Sequence, residues 1–168
     1  DGNYTRTYSN WDSWVATKEN GEIYCWGSAL SIKSCPVSKC TTPTCTEADV
    51  ASYYPKPIKY IYSCKRSYCA LYVDKTVFCW MAGYGPTQEP SPPGKGWVTA
   101  TSNDFGYSFL NEDGSVWSRN IGGTEVTWID TPPSGEERFL SLHSAGNVFA
   151  GLTDTGRIAA WGLARYYG

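Results

Sequence analysis

Apolar and polar side chains alternate along this chain with a period of two, the signature of strands with one buried face. The alternation comes in groups of three short segments, and the group returns four times. Aligned without a gap, the copies read YTRTYSNWDSWVATKENGEIYCWG from Tyr4, IKYIYSCKRSYCALYVDKTVFCWM from Ile58, WVTATSNDFGYSFLNEDGSVWSRN from Trp97 and FLSLHSAGNVFAGLTDTGRIAAWG from Phe139. Each first segment opens on a large apolar residue (Tyr4, Ile58, Trp97, Phe139) and ends near Ser9, Ser63, Ser102 or Ser144. After a short polar loop, an aromatic starts the second segment: Trp14, Tyr68, Tyr107 or Phe149. The third segment carries Ile23, Val77, Val116 or Ile158. Such self-similarity marks a repeat protein, in which no single copy buries its apolar face alone.

Glu19-Asn20-Gly21, Asp113-Gly114 and Thr155-Gly156 separate the second and third segments, and the glycine supplies the positive φ of a tight turn. Asp74-Lys75-Thr76 is the copy without glycine, so its turn is expected to be the most strained. Proline pairs (Pro55 and Pro57, Pro92 and Pro93, Pro132 and Pro133) precede three copies; lacking a ladder donor, they mark connections. Glu125 to Ile129 (EVTWI) reads as a fourth strand in the third module. Four-stranded sheets repeated about an axis are propeller blades, which predicts an all-β fold, a β-propeller-type array of four modules forming one repeat domain over residues 1–168. The first interval is the longest, and its excess, about residues 28–57, reads as a cysteine-rich insert within a repeat.

Composition adds that the chain can fill a core, being 41% hydrophobic and 15% aromatic over 168 residues. Fourteen basic against sixteen acidic side chains, without runs, give no field to gather nucleic acid or an anionic membrane surface. No apolar run approaches the roughly 20 residues of a membrane span, and DGNYT lacks the plan of a signal peptide, so a removed signal or a piece of a longer chain is expected.

Seven cysteines point to an oxidising compartment and to disulfides, with Cys25, Cys35, Cys40, Cys45, Cys64, Cys69 and Cys79 as candidates. Cys64 and Cys69 flank a short loop, where a bridge would staple a hairpin. Cys25 and Cys79 share one repeat position, filled elsewhere by Ser118 and Ala160, which suits packing between blades; if oxidised, their expected partners are the insert cysteines. An odd count leaves one thiol free or bound to another chain. A zinc cluster is the weaker reading, because the spacing lacks two matched pairs. The sequon Asn3-Tyr4-Thr5 could carry an N-glycan, and TTPT at Thr41 to Thr44 O-linked sugar, which agrees with secretion.

Catalytic chemistry finds little support. His143, the sole histidine, falls at a repeat position shared with Tyr8, Tyr62 and Thr101, which favours a structural or surface role. The four aligned serines lack a partner base and suit hydrogen bonding at a loop corner. No catalytic, metal-binding or cofactor-binding residue is assigned, and no cofactor is expected. Trp26, Trp80 and Trp161, at equivalent strand ends, suit blade packing. Trp11, Tyr53, Tyr54, Trp97, Trp128, Tyr166 and Tyr167, at module edges or in loops, are the candidates for partner contact.

The pattern ending DG-x-V-x-x-W-G resembles the repeats of the regulator-of-chromosome-condensation (RCC1-like) family. Asp113-Gly114-Ser115-Val116-Trp117, Thr155-Gly156-Arg157-Ile158-Ala159-Ala160-Trp161-Gly162 and Asn20-Gly21-Glu22-Ile23-Tyr24-Cys25-Trp26-Gly27 carry the likeness. It implies a propeller, commonly of seven blades, that serves as a rigid protein-binding platform in settings as different as nucleotide exchange on a small GTPase, chromatin contact and enzyme inhibition. Four copies are fewer than such a ring needs, so the chain is expected to be part of a larger propeller, to be completed by a partner, or to close as a small ring. The cysteine content does not suit the reducing compartment of the nuclear members, and exchange activity is not carried across. The resulting expectation is a non-catalytic extracellular binding or assembly module whose partners are proteins or further subunits. A carbohydrate-binding propeller lectin and a secreted enzyme inhibitor are the alternatives.

Overall fold

A computed structural model describes residues 3–19, 23–27, 56–81, 88–89, 91–120 and 137–162. All the regular structure in them is β. The strands are β1 (Tyr4–Ser9), β2 (Ser13–Lys18), β3 (Ile23–Gly27), β4 (Ile58–Cys64), β5 (Ser67–Tyr72), β6 (Val77–Met81), β7 (Gln88–Glu89), β8 (Trp97–Ser102), β9 (Gly106–Asn111), β10 (Val116–Asn120), β11 (Phe139–Ala145), β12 (Val148–Thr153) and β13 (Ile158–Gly162). They form four antiparallel meanders: β1-β2-β3, β4-β5-β6-β7, β8-β9-β10 and β11-β12-β13. Each is one sequence repeat, and each opens at the residue expected. The blade array of a propeller is thus the fold, with β7 an added outer strand in the second blade. The expected fourth strand at Glu125 to Ile129 lies outside the described residues.

Each first strand carries a register shift at its second residue: Tyr4/Arg6, Ile58/Tyr60, Trp97/Thr99 and Phe139/Ser141. A bulge at a shared position gives all four strands the same local twist. These strands also stand beside one another, β1 against β4, β4 against β8 and β8 against β11, as the innermost strands of successive blades.

The core lies between blades. The rear face of one sheet meets the front face of the next. Val15 and Ile23 of the first blade pack on Ile61, Tyr68, Ala70 and Trp80 of the second. Leu71 and the Cys69 and Cys79 side chains pack on Trp97, Tyr107 and Phe109 of the third. Leu110, with Val98 and Val116 beside it, packs on Phe139, Phe149 and Trp161 of the fourth. Burial of this apolar surface drives the sheets together.

Backbone bonds repeat as faithfully. The residue at the centre of the β5–β6 turn is Lys75 with φ 65°, matching Gly114 at 85° and Gly156 at 81°. The predicted strain is therefore present: among the described residues Lys75 is the non-glycine held at positive φ. Lys75 O accepts the Trp97 N–H at 3.1 Å, and Gly114 O accepts that of Phe139 at 2.9 Å, so the turn of one blade anchors the first strand of the next. The Asp74 carboxylate accepts from the Thr76 hydroxyl and from Lys56 Nζ, which hold its pKa down at about 2.

Cysteine pairing departs from the simplest expectation. Cys69 is bonded to Cys79, while Cys64 is a buried free thiol with its Sγ 2.8 Å from Ser67 Oγ. Cys69 and Cys79 are direct cross-strand partners in the β5–β6 ladder, at equal distances either side of Asp74. Register decides the pairing, where closeness in sequence had suggested Cys64 with Cys69. It also replaces an insert cysteine as the partner of Cys79. Ser108 and Ser118 hold the same pair of positions in the third blade, with their hydroxyls 2.7 Å apart. Cys25 is disulfide-bonded too; Cys35, Cys40 and Cys45 lie outside the described residues.

Candidate interaction surfaces

The loops joining the first and second strands of each blade emerge at one end of the array. Asn10 Oδ1 builds the first by accepting the N–H groups of Asp12 (3.2 Å) and Ser13 (2.9 Å). Asn103 builds the third the same way, accepting from Phe105 (2.9 Å) and Gly106 (3.0 Å). The loops are tied across blades: Lys65 N–H donates to Asp104 O at 3.2 Å. Lys65 Nζ stands 3.6 Å from the centre of the Trp11 ring and 5.9 Å from that of Phe105. Three consecutive blades thus set an aromatic, a cation and an aromatic side by side, with the Trp11 ring still 71% exposed.

Below these loops a phenol bolts the second blade to the first and another bolts the third to the second. Tyr107 OH donates to Ser67 O (2.6 Å), accepts the Cys64 N–H (3.0 Å) and meets Ser67 Oγ at 3.1 Å. Tyr68 OH makes the corresponding bond to Ser13 O at 2.9 Å. Burial raises both phenols, Tyr68 to about 12 and Tyr107 well above the usual value. The fourth blade has Phe149 at this position, and Gly106 holds the third-blade position of Ser13 and Ser67, so the phenol and the serine hydroxyl are both missing from that junction. The loop ends of the first three blades are therefore tied to one another.

A second concave surface lies on the innermost strands. Thr7, Tyr8 and Ser9, Tyr60 to Ser63, and Thr99 to Ser102 line a cavity of about 630 Å³. The Tyr8 and Tyr60 rings meet edge to face at 5.3 Å, and Tyr62 OH reaches Thr99 Oγ1 at 3.2 Å. Of the aligned serines, Ser144 donates to Ser102 O at 2.7 Å and bonds Thr101 Oγ1 at 2.7 Å, stitching adjacent blades as a hydrogen-bonding role requires.

Among the described residues the array is open at both ends. The front face of the first blade shows Tyr4, Trp14, Tyr24 and Trp26, each between 40% and 50% exposed. Trp14 and Trp26 stack at 6.3 Å, and Tyr4 and Tyr24 meet at 5.4 Å. The rear face of the fourth blade shows Leu140, Leu152 and Ile158, from 39% to 78% exposed, with His143 exposed beside them.

Of the expected contact residues, Trp11 is at the surface. Trp97 is not: it is 5% exposed, its Nε1 donates to Pro93 O at 3.2 Å, and it packs on Phe109. A residue opening a first strand faces the preceding blade, so its position at a module edge is an interior position. Trp80 and Trp161 are buried as blade packing requires, whereas Trp26 is half exposed because the described residues set no blade before the first. Tyr53, Tyr54, Trp128, Tyr166 and Tyr167 lie outside the described residues. Asn3 is exposed. Lys65 and Phe105 were missed, although Lys65 shares the repeat position of Trp11. Among the described residues no cluster of three His, Cys, Asp or Glu side chains could hold a metal ion, and no helix is long and apolar enough to cross a membrane.

No family model and no curated protein matches the chain. Solved structures do. Human WBSCR16 superposes with a TM-score of 0.60 at 18% identity, covering 96% of this chain and 48% of its own. The ectodomain of the Arabidopsis thaliana receptor kinase ACR4 gives 0.55 at 16%, covering 93% and 52%. Prp20p of Saccharomyces cerevisiae, described for its binding to Gsp1p and histones, gives 0.58 at 14%, covering 96% and 45%. These likenesses define the class as a propeller-repeat fold. The chain spans about half the length of each of these three structures.

Proposed function

We propose that this chain is a non-catalytic binding and assembly module that works outside the cell and engages protein partners through the loop end of its blades. The observation that carries the reading is the Trp11, Lys65 and Phe105 group: large, amphipathic contact residues set on a scaffold whose own bonds hold them in place. The bridge between Cys69 and Cys79 supports an oxidising compartment. Prp20p's binding to Gsp1p and histones gives a precedent for proteins as partners of this fold. The test is affinity capture from the native extracellular fluid with the chain as bait, beside a Trp11→Ala, Lys65→Glu double variant. A partner held by the first and lost at least about tenfold by the second is expected. Equal capture by both would overturn the reading.

The innermost cavity favours a second reading, a carbohydrate-binding lectin. Its hydroxyl-rich wall and the Tyr8, Tyr60 and Tyr62 rings offer the hydrogen bonds and stacking faces that sugars use. Titration with a glycan panel decides it: saturable binding lost in Tyr60→Ala supports a lectin, and silence across the panel removes it.

A further inference from the structure

The two open ends of the array are the two halves of a junction the chain already makes. Between the third and fourth blades, Val98, Leu110 and Val116 pack on Phe139, Phe149 and Trp161. In the repeat alignment, Leu140, Leu152 and Ile158 occupy the positions of Val98, Leu110 and Val116. Tyr4, Trp14 and Trp26 likewise occupy those of Phe139, Phe149 and Trp161. The first set is aliphatic and exposed on the rear of the fourth blade. The second is aromatic and exposed on the front of the first. Each end presents the residue classes that the other lacks.

We infer that a second copy of this chain covers both ends, the fourth blade of each protomer seating on the first blade of the other, so that two copies close one ring about a two-fold axis. The inference deepens the assembly part of the proposed function and rests on it, naming the partner. Two observations select a second copy. The chain carries both faces of the junction, so copies can satisfy each other without a third component. It also spans about half of two natural propellers it matches, 48% of one and 45% of the other, so two copies supply the length of one such ring. Because the joined faces differ, the contact is head to tail, and such contacts are satisfied fully only when they close. Exposed sheet faces of this size call for a cap.

Solution mass by light scattering and sedimentation tests the ring, using the intact 168-residue chain with its disulfides. Twice the chain mass is expected. Ile158→Asp on the rear face and Trp26→Asp on the front face should each weaken the dimer at least about tenfold. Both residues are at the surface of the single chain, and the circular dichroism of each variant checks that it folds. Mixing the two variants gives the decisive outcome. Their heterodimer has one junction with both changes and one with neither, so the mixture should dimerise more tightly than either variant alone. A monomer, a mass that climbs past two copies with concentration, or a mixture no tighter than its components would overturn the ring. A monomer that still loses its captured partner through Trp11→Ala and Lys65→Glu would sink the ring and leave the loop-end reading standing. A ring insensitive to those changes, with unchanged capture, would do the reverse.

Discussion

Tyr107 shows how one atom ties two blades. Its phenolic oxygen serves the Ser67 carbonyl, the Ser67 hydroxyl and the Cys64 N–H together, all in a buried setting. Tyr107→Phe keeps the ring and strands those groups, so it should cost about 1–3 kcal/mol, read from the denaturant midpoint. The same burial sets an alkaline limit. A phenol whose folded pKa is raised keeps its proton after the unfolded chain has lost its own near pH 10, so unfolding gains from deprotonation above that value. Stability from Tyr68 is therefore full below pH 10 and is lost as pH rises from 10 toward about 12. Denaturant titrations at pH 9, 10 and 11 should show the midpoint falling, less steeply in Tyr68→Phe. Lys75 is a third case. Holding it at φ 65° costs about 1–2 kcal/mol. Glycine there gives back roughly 0.5–1 kcal/mol in unfolded-chain entropy. It also loses an exposed ion pair to Glu112 worth about 0–1 kcal/mol. Lys75→Gly should thus be stabilising by about 0.5 kcal/mol in the same assay, and Lys75→Val destabilising.

Within the sheets, the cross-strand pair is the unit that distinguishes one blade from another. Val15 faces Cys25, Cys69 faces Cys79, Ser108 faces Ser118 and Ala150 faces Ala160. One site accepts a covalent bond, a hydrogen bond or small apolar packing. Replacing Cys69 and Cys79 by serines copies the third blade into the second, and should keep the fold while losing about 2–3 kcal/mol from the closed loop. Reductant on the parent chain should lower its denaturant midpoint at least as far, because it opens the bridge at Cys25 as well. These pairs also show what could be read in advance. The first residue of each opening strand, the turn positions and the blade order were legible, because the repeat states each four times. The disulfide was legible only through hairpin symmetry about Asp74, a two-dimensional fact that linear distance obscures. Trp14 and Trp97 are harder still: both are large aromatics of the front face, and what separates exposed from buried is whether another blade stands in front. The Trp11 and Lys65 contact depends on how adjacent loops lean, which no single repeat encodes.

Across the whole molecule, stability should be graded along the array. The central strands β5 and β9 of the inner blades are buried at every position but the last, whereas β1 is exposed over most of its length. In a repeat stack each unit draws stability from its neighbours, and end units have one fewer. Hydrogen exchange on the single chain should therefore be slowest in β5 and β9 and fastest in β1 and β13. Uniform protection from end to end would contradict that gradient. The placement of the free thiol bears on how such a molecule is made. As the chain emerges from synthesis, Cys64 and Cys69 become available together, while Cys79, the native partner of Cys69, follows only after the Asp74 turn has been completed. Among Cys64, Cys69 and Cys79 the shortest loop that oxidation can close is thus a wrong one, and it leaves Cys79 without its mate. Folding of the second blade, by burying Cys64 against Ser67, removes the competitor from reach. Assembly of that sheet and proofreading of its disulfide are, in this chain, the same event.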